Sequence, residues 1–140
     1  HEDICVFYRK PPVYNPQMTK GEPYDKGKAG KHTQVYGSQV TVPNKNDTGL
    51  RYPRTVVYFK TAEGEGKLHP TQKPIALFEY LIKTYSNEGD VILDNCIGSG
   101  TTALAALNTG RRYIGIELEQ KFFDTCNDRI RSFYEQQASG

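Results

Sequence analysis

Apolar and polar positions along the chain fall into two kinds of pattern. Ile4-Cys5-Val6-Phe7-Tyr8 alternates with a period of two and predicts a strand, closed by Arg9-Lys10-Pro11-Pro12. Tyr52 to Lys60 has strand composition around Val56-Val57-Tyr58-Phe59. Ile75, Phe78, Leu81, Ile82 and Tyr85 recur at helical spacing, so a helix burying one face is expected over 74–85, with Pro74 in its first turn. Val91-Ile92-Leu93 is a short apolar run after Gly89-Asp90 and fits a parallel strand covered on both faces, ending at Asp94. A helix is expected over 101–108 with Gly110 at its C-terminal stop, then a strand over 113–117. Phe122, Cys126, Ile130 and Phe133 predict a last helix from about 119 to 134, with 135–140 fraying.

Between these elements the pattern lapses. Tyr14 to Asn46 is rich in Gly, Pro, Lys, Gln and Thr without either period, and reads as a long, partly ordered insertion. Thr61 to Lys67 reads as a flexible connector. His69-Pro70-Thr71-Gln72-Lys73-Pro74 then stiffens the chain before the first helix, with Thr71 available as a cap. A helix start beside Thr71 and Lys73 suits an anion such as a carboxylate, although an ordinary helix start with an exposed lysine explains the same residues.

Charge changes the picture of the insertion. From Arg9 to Lys73, 12 Lys and Arg face 5 Asp and Glu, a local charge of +7, whereas the chain from Pro74 onward carries 6 against 9. The basic half interleaves cations with Tyr14, Tyr24, Tyr36, Tyr52, Tyr58 and Phe59, a mixture suited to phosphate contact and base stacking. Composition alone serves equally for a solvated basic loop. Cys5, Cys96 and Cys126 lack metal or disulfide spacing, as expected in a reducing cytoplasm, and Cys96 is expected to be a buried small hydrophobe. His1, His32 and His69 are scattered, giving metal binding little support. No apolar run is long enough to span a membrane.

The candidate chemistry centres on Asp94-Asn95-Cys96-Ile97-Gly98-Ser99-Gly100-Thr101-Thr102 and Glu117. Strand, glycine loop, helix and strand make a βαβ unit with a crevice at the strands' carboxyl ends. Gly98 to Ala103 matches G-x-G-x-x-A, and Glu117 stands where a ribose-binding carboxylate would, so a nicotinamide-dependent oxidoreductase has to be weighed. No Lys follows Gly100, which excludes a Walker phosphate loop. Asp94 at the strand end would repel a pyrophosphate and attract an ammonium group. A ligand with a ribose, a cation and no phosphate fits best, and S-adenosylmethionine has that chemistry. A structural βαβ unit without ligand is the blander alternative.

The order of these segments resembles the C-terminal part of an amino-group DNA methyltransferase, in the β-type arrangement of the N6-adenine and N4-cytosine enzymes. The resemblance rests on His69 to Pro74, the helix after it, Asp94 followed by Gly98-Ser99-Gly100-Thr101-Thr102, and Tyr113 to Glu117. His1 to Phe7, Tyr14-Asn15-Pro16-Gln17 and Tyr52-Pro53-Arg54-Thr55 resemble flanking segments. It implies an α/β, Rossmann-like S-adenosylmethionine-dependent methyltransferase fold, incomplete in this chain. It further implies that residues 11–66 form a basic target-recognition insertion and 67–140 the cofactor-binding part. Asp94 and the loop Gly98-Ser99-Gly100 would hold the methionine part of S-adenosylmethionine, Glu117 the ribose, and Thr71 and Lys73 the carboxylate, with Cys96, Thr101 and Thr102 also at the cofactor. Lys20, Lys26, Lys28, Lys31, Arg51 and Arg54 would contact double-stranded DNA.

Two departures from the family pattern stand out. Asn95-Cys96 replaces the usual Pro-Phe after the aspartate. The catalytic tetrapeptide, an Asp, Asn or Ser followed by Pro-Pro and an aromatic, is absent, because Lys10-Pro11-Pro12-Val13 has a cation before it and Val after it. No catalytic residue is therefore expected within this chain. The resemblance implies that the catalytic strand lies on an N-terminal portion of the same enzyme, upstream of a chain that opens at His1. Without that strand, Val91 to Asp94 would keep an open edge, available to a second copy as a homodimer. A non-catalytic cofactor- or DNA-binding remnant is the other expectation from the same departure.

Overall fold

The computed structural model describes residues 2–28, 43–66 and 68–139, which group into two compact units: residues 16–56 in one, residues 2–15 and 57–139 in the other. In the smaller unit, β1 (Thr19–Lys20) pairs antiparallel with β4 (Leu50–Arg51), and β2 (Tyr24–Lys28) pairs antiparallel with β3 (Pro43–Asn46). The pairs are nested in sequence, so the stretch read as lacking periodicity closes on itself by backbone pairing. Gly49 makes this tight: its φ is +69°, its carbonyl accepts the Gly21 N–H at 2.8 Å, and a Cβ there would sit 2.1 Å from the Gly21 oxygen.

The larger unit is built around α2 (Thr101–Asn108), whose residues 101–106 are all buried. Its alanines let neighbours approach closely. Ala105 and Ala106 pack with Ile82 of α1 (Ile75–Tyr85), joined by Ile75, Phe78, Ile92 and Tyr113. Ala103 packs with Ile97 and with Cys126 of α3 (Gln120–Ala138), joined by Tyr113 and Ile130. Beside α2 lies a two-stranded parallel sheet, β5 (Val91–Asp94) with β6 (Arg112–Gly115), in register Val91 with Arg112 through Asp94 with Gly115. The β5–α2–β6 crossover is the expected βαβ unit.

The ends of these helices are tightly specified. After α2, the Gly110 N–H reaches the Leu107 carbonyl and the Arg111 N–H the Ala106 carbonyl, with Gly110 at φ +73°, a Schellman arrangement. Arg111 is buried and donates to the Ser86 hydroxyl at 3.1 Å, the Ser86 carbonyl at 2.8 Å and the Thr109 carbonyl, stapling the ends of α1 and α2 together. The Asn15 backbone N–H donates to the Thr84 carbonyl at 2.7 Å and its side chain to the Ser86 carbonyl at 3.0 Å, satisfying acceptors that the end of α1 leaves open.

Several sequence expectations are corrected. Residues 4–8 and 52–60 form no strand, and Phe7, Val56 and Tyr58 are 91%, 82% and 87% exposed. Strand composition is realised only against a partner, and among the described residues neither segment has one. Among the described residues, the β5–β6 sheet is covered on its α2 side only. Leu93 and Ile114 are more than half exposed and Leu118 is 95% exposed, so the apolar run did not guarantee two covered faces. The supposed connector contains a 3-10 helix, Ala62–Glu65, with Ala62 buried. The last helix does not fray at 135 but continues to Ala138, and Cys96 is exposed while Cys126 is the buried thiol.

Candidate functional site

The site is assembled where β5 and β6 end. Beyond the ladder, the Ile116 N–H donates to the Asp94 carbonyl at 2.9 Å and the Ile97 N–H to the Ile116 carbonyl at 3.0 Å. Pairing thus carries on until the chain turns into the loop 95–100. Gly98 and Gly100 take φ +55° and +86°, which side chains resist. At Gly100 a Cβ would lie 2.6 Å from the Cys126 Sγ, so the loop lies against α3 where only a glycine fits.

Both acidic residues hold this loop. One Asp94 oxygen accepts the Cys96 N–H at 3.0 Å and the other the Thr102 hydroxyl. Glu117 Oε2 accepts the Gly98 N–H at 2.8 Å and its Oε1 the Glu119 N–H at 3.0 Å. These backbone donors, Glu119 first and Gly98 next, hold the Glu117 carboxyl below the usual carboxylate range. A carboxylate accepts more than one hydrogen bond per oxygen, so each retains capacity for a ligand hydroxyl or ammonium.

A pocket of about 90 Å³ lies between the 69–73 segment and this loop. Thr71, Lys73, Asp94, Cys96, Gly98, Ser99, Thr101 and Thr102 line it, and Gly100 and Glu117 adjoin it through the loop and the Gly98 bond. It falls well below the roughly 300 Å³ of a complete small-molecule site. Its rim carries a cation at Lys73 and an anion at Asp94. A larger hollow of about 550 Å³ between the helices includes Leu68, Ile75, Leu104 and Phe133, and lies away from both carboxylates. The smaller pocket is the better candidate because the charged and glycine-loop groups converge there.

Two details differ from expectation. Thr71 does not cap α1. Its N–H and hydroxyl meet His69 Nδ1 at 3.2 and 3.1 Å, while Glu65 accepts the Ile75 N–H with both oxygens at 3.1 and 3.2 Å. The start of α1 therefore already carries an internal anion, because the chain bends a carboxylate onto it. Lys73 is not free either: its Nζ lies 2.6 Å from Glu2 Oε1, and it is the first cause of a lowered Glu2 carboxyl.

Three further residues at the site carry no periodic signal in the sequence. Gln72 Oε1 accepts the Leu68 N–H at 3.2 Å and faces the Ser99 hydroxyl at 3.4 Å, while its Nε2 is buried without a partner among the described residues. The His69 ring packs on Phe122 with centroids 4.1 Å apart. Arg129 of α3 donates to the Ser99 carbonyl at 2.8 Å. Gln72 and His69 stand inside the 69–74 motif and could have been singled out there. Arg129 is one charge on a helix, and nothing in its spacing marks it.

Of the basic residues, Lys20 lies on β1, Lys26 and Lys28 on β2 and Arg51 on β4, while Arg54 is exposed after it. Lys26 and Arg51 sit 5.2 and 5.8 Å from the Tyr24 ring centroid, and Arg51 also donates to the Glu22 carbonyl at 3.1 Å. Lys31 lies outside the described residues. Among the described residues no group of His, Cys, Asp and Glu is arranged to hold a metal, and no helix is long and apolar enough to cross a membrane.

Comparison with known proteins adds an independent observation. The chain is 44% identical over 73 residues to the Type II methyltransferase M2.DpnII of Streptococcus pneumoniae, covering 52% of this chain and 27% of that protein. It is 47% identical over 72 residues to the Type II methyltransferase M.HinfI of Haemophilus influenzae, covering 51% and 20%. Among solved structures, the M1.HpyAVI–SAM complex aligns at 48% identity over 46% of this chain and 32% of that one, with a TM-score of 0.45. The chain thus spans between a fifth and a third of the length of these relatives. The N6/N4 methyltransferase model, described as DNA methylase, matches residues 1–128, and the chain accordingly belongs to that DNA methylase family.

Proposed function

We propose that this chain is the cofactor- and DNA-contacting part of an S-adenosylmethionine-dependent DNA methyltransferase acting on an exocyclic amino group of adenine or cytosine. The observation carrying this reading is the convergence of Asp94, the Gly98–Gly100 loop and Glu117 on one crevice, with Lys73 opposite. Asp94 would neutralise the ligand's ammonium, Lys73 and Thr71 would take its carboxylate once Glu2 yields, and the free lone pairs of Glu117 would accept the ribose hydroxyls. S-adenosylmethionine, when bound, supplies an activated methyl group. The family and the curated relatives favour this ligand over a nicotinamide dinucleotide, as does the negative charge of Asp94 at the strand end.

The residues that would act on the target base are not in this chain. Transfer to an amine needs an acceptor for the developing positive charge and an aromatic to stack the flipped base. Asp94 and Glu117 are engaged with the loop, and Lys10 before Pro11-Pro12 has the wrong charge. The 140 residues alone therefore do not methylate DNA; an N-terminal portion of the same enzyme would supply the tetrapeptide on a strand that pairs with the open edge of β5. A homodimer through that edge is the competing arrangement. Residues 11–66 would contact double-stranded DNA, with Lys20, Lys26, Lys28, Lys31, Arg51 and Arg54 neutralising phosphates. A cytoplasmic location goes with this function, and the free Cys5, Cys96 and Cys126 are in keeping with it.

Calorimetric titration with S-adenosylhomocysteine and with NAD tests the ligand. Tighter binding of NAD would overturn the assignment. Transfer of labelled methyl to DNA by the 140-residue chain at enzymatic rates would overturn the inactivity. The reading frame upstream of His1 tests the partner portion, which predicts an Asp, Asn or Ser before Pro-Pro and an aromatic residue.

A further inference from the structure

The glycine loop is also held from α3 by a half-buried cation. Arg129 Nη1 donates to the Ser99 carbonyl at 2.8 Å and approaches the Ser99 hydroxyl at 3.3 Å, and that hydroxyl in turn faces Gln72 at 3.4 Å. Cys126, one helical turn earlier on α3, fills the space beneath Gly100. Arg129 is half-buried, and burial lowers its pKa from the usual guanidinium value, with Glu65 partly offsetting this. Among the described residues no carboxylate forms an ion pair with it. A guanidinium withdrawn from water usually takes a carboxylate as partner, and this one spends its hydrogen bonds on a loop carbonyl.

We infer that Arg129 is a positioning residue for cofactor binding: its bond to the Ser99 carbonyl, braced by Gln72, fixes the Gly98–Gly100 loop in its binding shape before a ligand arrives. The ligand part of this inference rests on the function proposed above; the strap itself does not. A loop fixed in advance loses less freedom on binding. Glu117 secures it at Gly98 from one side and Arg129 at Ser99 from the other, so neither adjacent peptide can rotate alone.

The test compares the 140-residue chain with Arg129→Ala, Arg129→Lys, and an Ile82→Val or Ile82→Ala control chosen to match the melting loss of Arg129→Ala. Ile82 lies in the α1–α2 core and touches no loop residue in that cluster. Two quantities are read: S-adenosylhomocysteine affinity by calorimetry, and amide hydrogen exchange at Gly98–Thr101 against β5 and β6. Loss of one charged hydrogen bond should weaken affinity by about tenfold or more in Arg129→Ala. Arg129→Lys should recover part of that loss, and the Ile82 control should bind like the parent. Exchange should quicken in the loop of Arg129→Ala while the strands stay protected. If the parent fails to bind but loop exchange still depends on Arg129, the strap stands and the cofactor assignment falls. Unchanged loop exchange in Arg129→Ala, or an equal affinity loss in the control, would overturn the strap.

Discussion

Glu117 Oε2 accepts the Gly98 backbone N–H at 2.8 Å across 19 residues of sequence, so the carboxylate after β6 is tied to the loop after β5. Replacing one oxygen by an amide nitrogen removes an acceptor without changing shape. Glu117→Gln should therefore bind S-adenosylhomocysteine more weakly than the parent while keeping its helix content, as calorimetry and circular dichroism would show. The pH dependence has a definite sign. The folded carboxyl lies below its unfolded value, so its stabilisation is present above the unfolded value of about 4.3 and disappears as pH falls through the lowered folded value. Melting curves of parent and Glu117→Gln should differ at pH 6 and converge toward pH 3.

Gly100 and Cys126 should fail additivity. Gly100→Ala places a methyl 2.6 Å from the Cys126 Sγ on a backbone at φ +86°, and should cost about 2–4 kcal/mol by denaturant unfolding. Cys126→Ala removes the sulfur, so the double variant should be more stable than the two losses summed. Strict additivity would mean that backbone strain alone explains the glycine.

Lys73 is shared between Glu2 and the proposed ligand carboxylate. Glu2→Gln should tighten S-adenosylhomocysteine binding a few-fold at low salt, because a competitor is removed, with the gain fading as salt rises. Lys73→Ala should weaken it under both conditions. The exposed pair should leave the melting temperature unmoved in Glu2→Gln. Weaker binding in Glu2→Gln would show that the Glu2 contact supports the site and does not compete for it.

The cations of the smaller unit should separate into two classes in a DNA retardation series across salt concentrations. Lys20→Ala and Arg54→Ala should each lower affinity and reduce the salt slope by about one. Arg51→Ala should also broaden the unfolding of that unit, because Arg51 packs on Tyr24 and donates to Glu22.

The sequence was legible where one segment carries its own partner. The helices at 75–85 and 101–108, the parallel strands and the glycine stop at Gly110 follow from local period and from loops short enough to fold back at once. It was opaque where the partner lies elsewhere. Residues 4–8 and 52–60 have strand chemistry with nothing to pair with among the described residues, and the period-free insertion finds order in backbone bonds that leave no side-chain period. At the site, Asp94 and Glu117 could be read because a charge at a strand end is unusual. Arg129 could not, because it acts through a contact 30 residues away, and the motif that holds Gln72 gave no sign of its contact with Ser99, 27 residues on.

The nesting of β1 with β4 around β2 with β3 bears on how such a protein can change. Thr19 pairs with Arg51, so the stretch enters and leaves through adjacent strands. Such a stretch can be exchanged as a cassette, since its two junctions are neighbours whatever its length. Lengthening it between β2 and β3 adds only a slowly growing closure entropy. Grafting another sequence between Thr19 and Arg51 should leave the melting of the helical unit intact. If this stretch carries the proposed DNA contacts, a new hairpin would change them without any adjustment to the glycine loop.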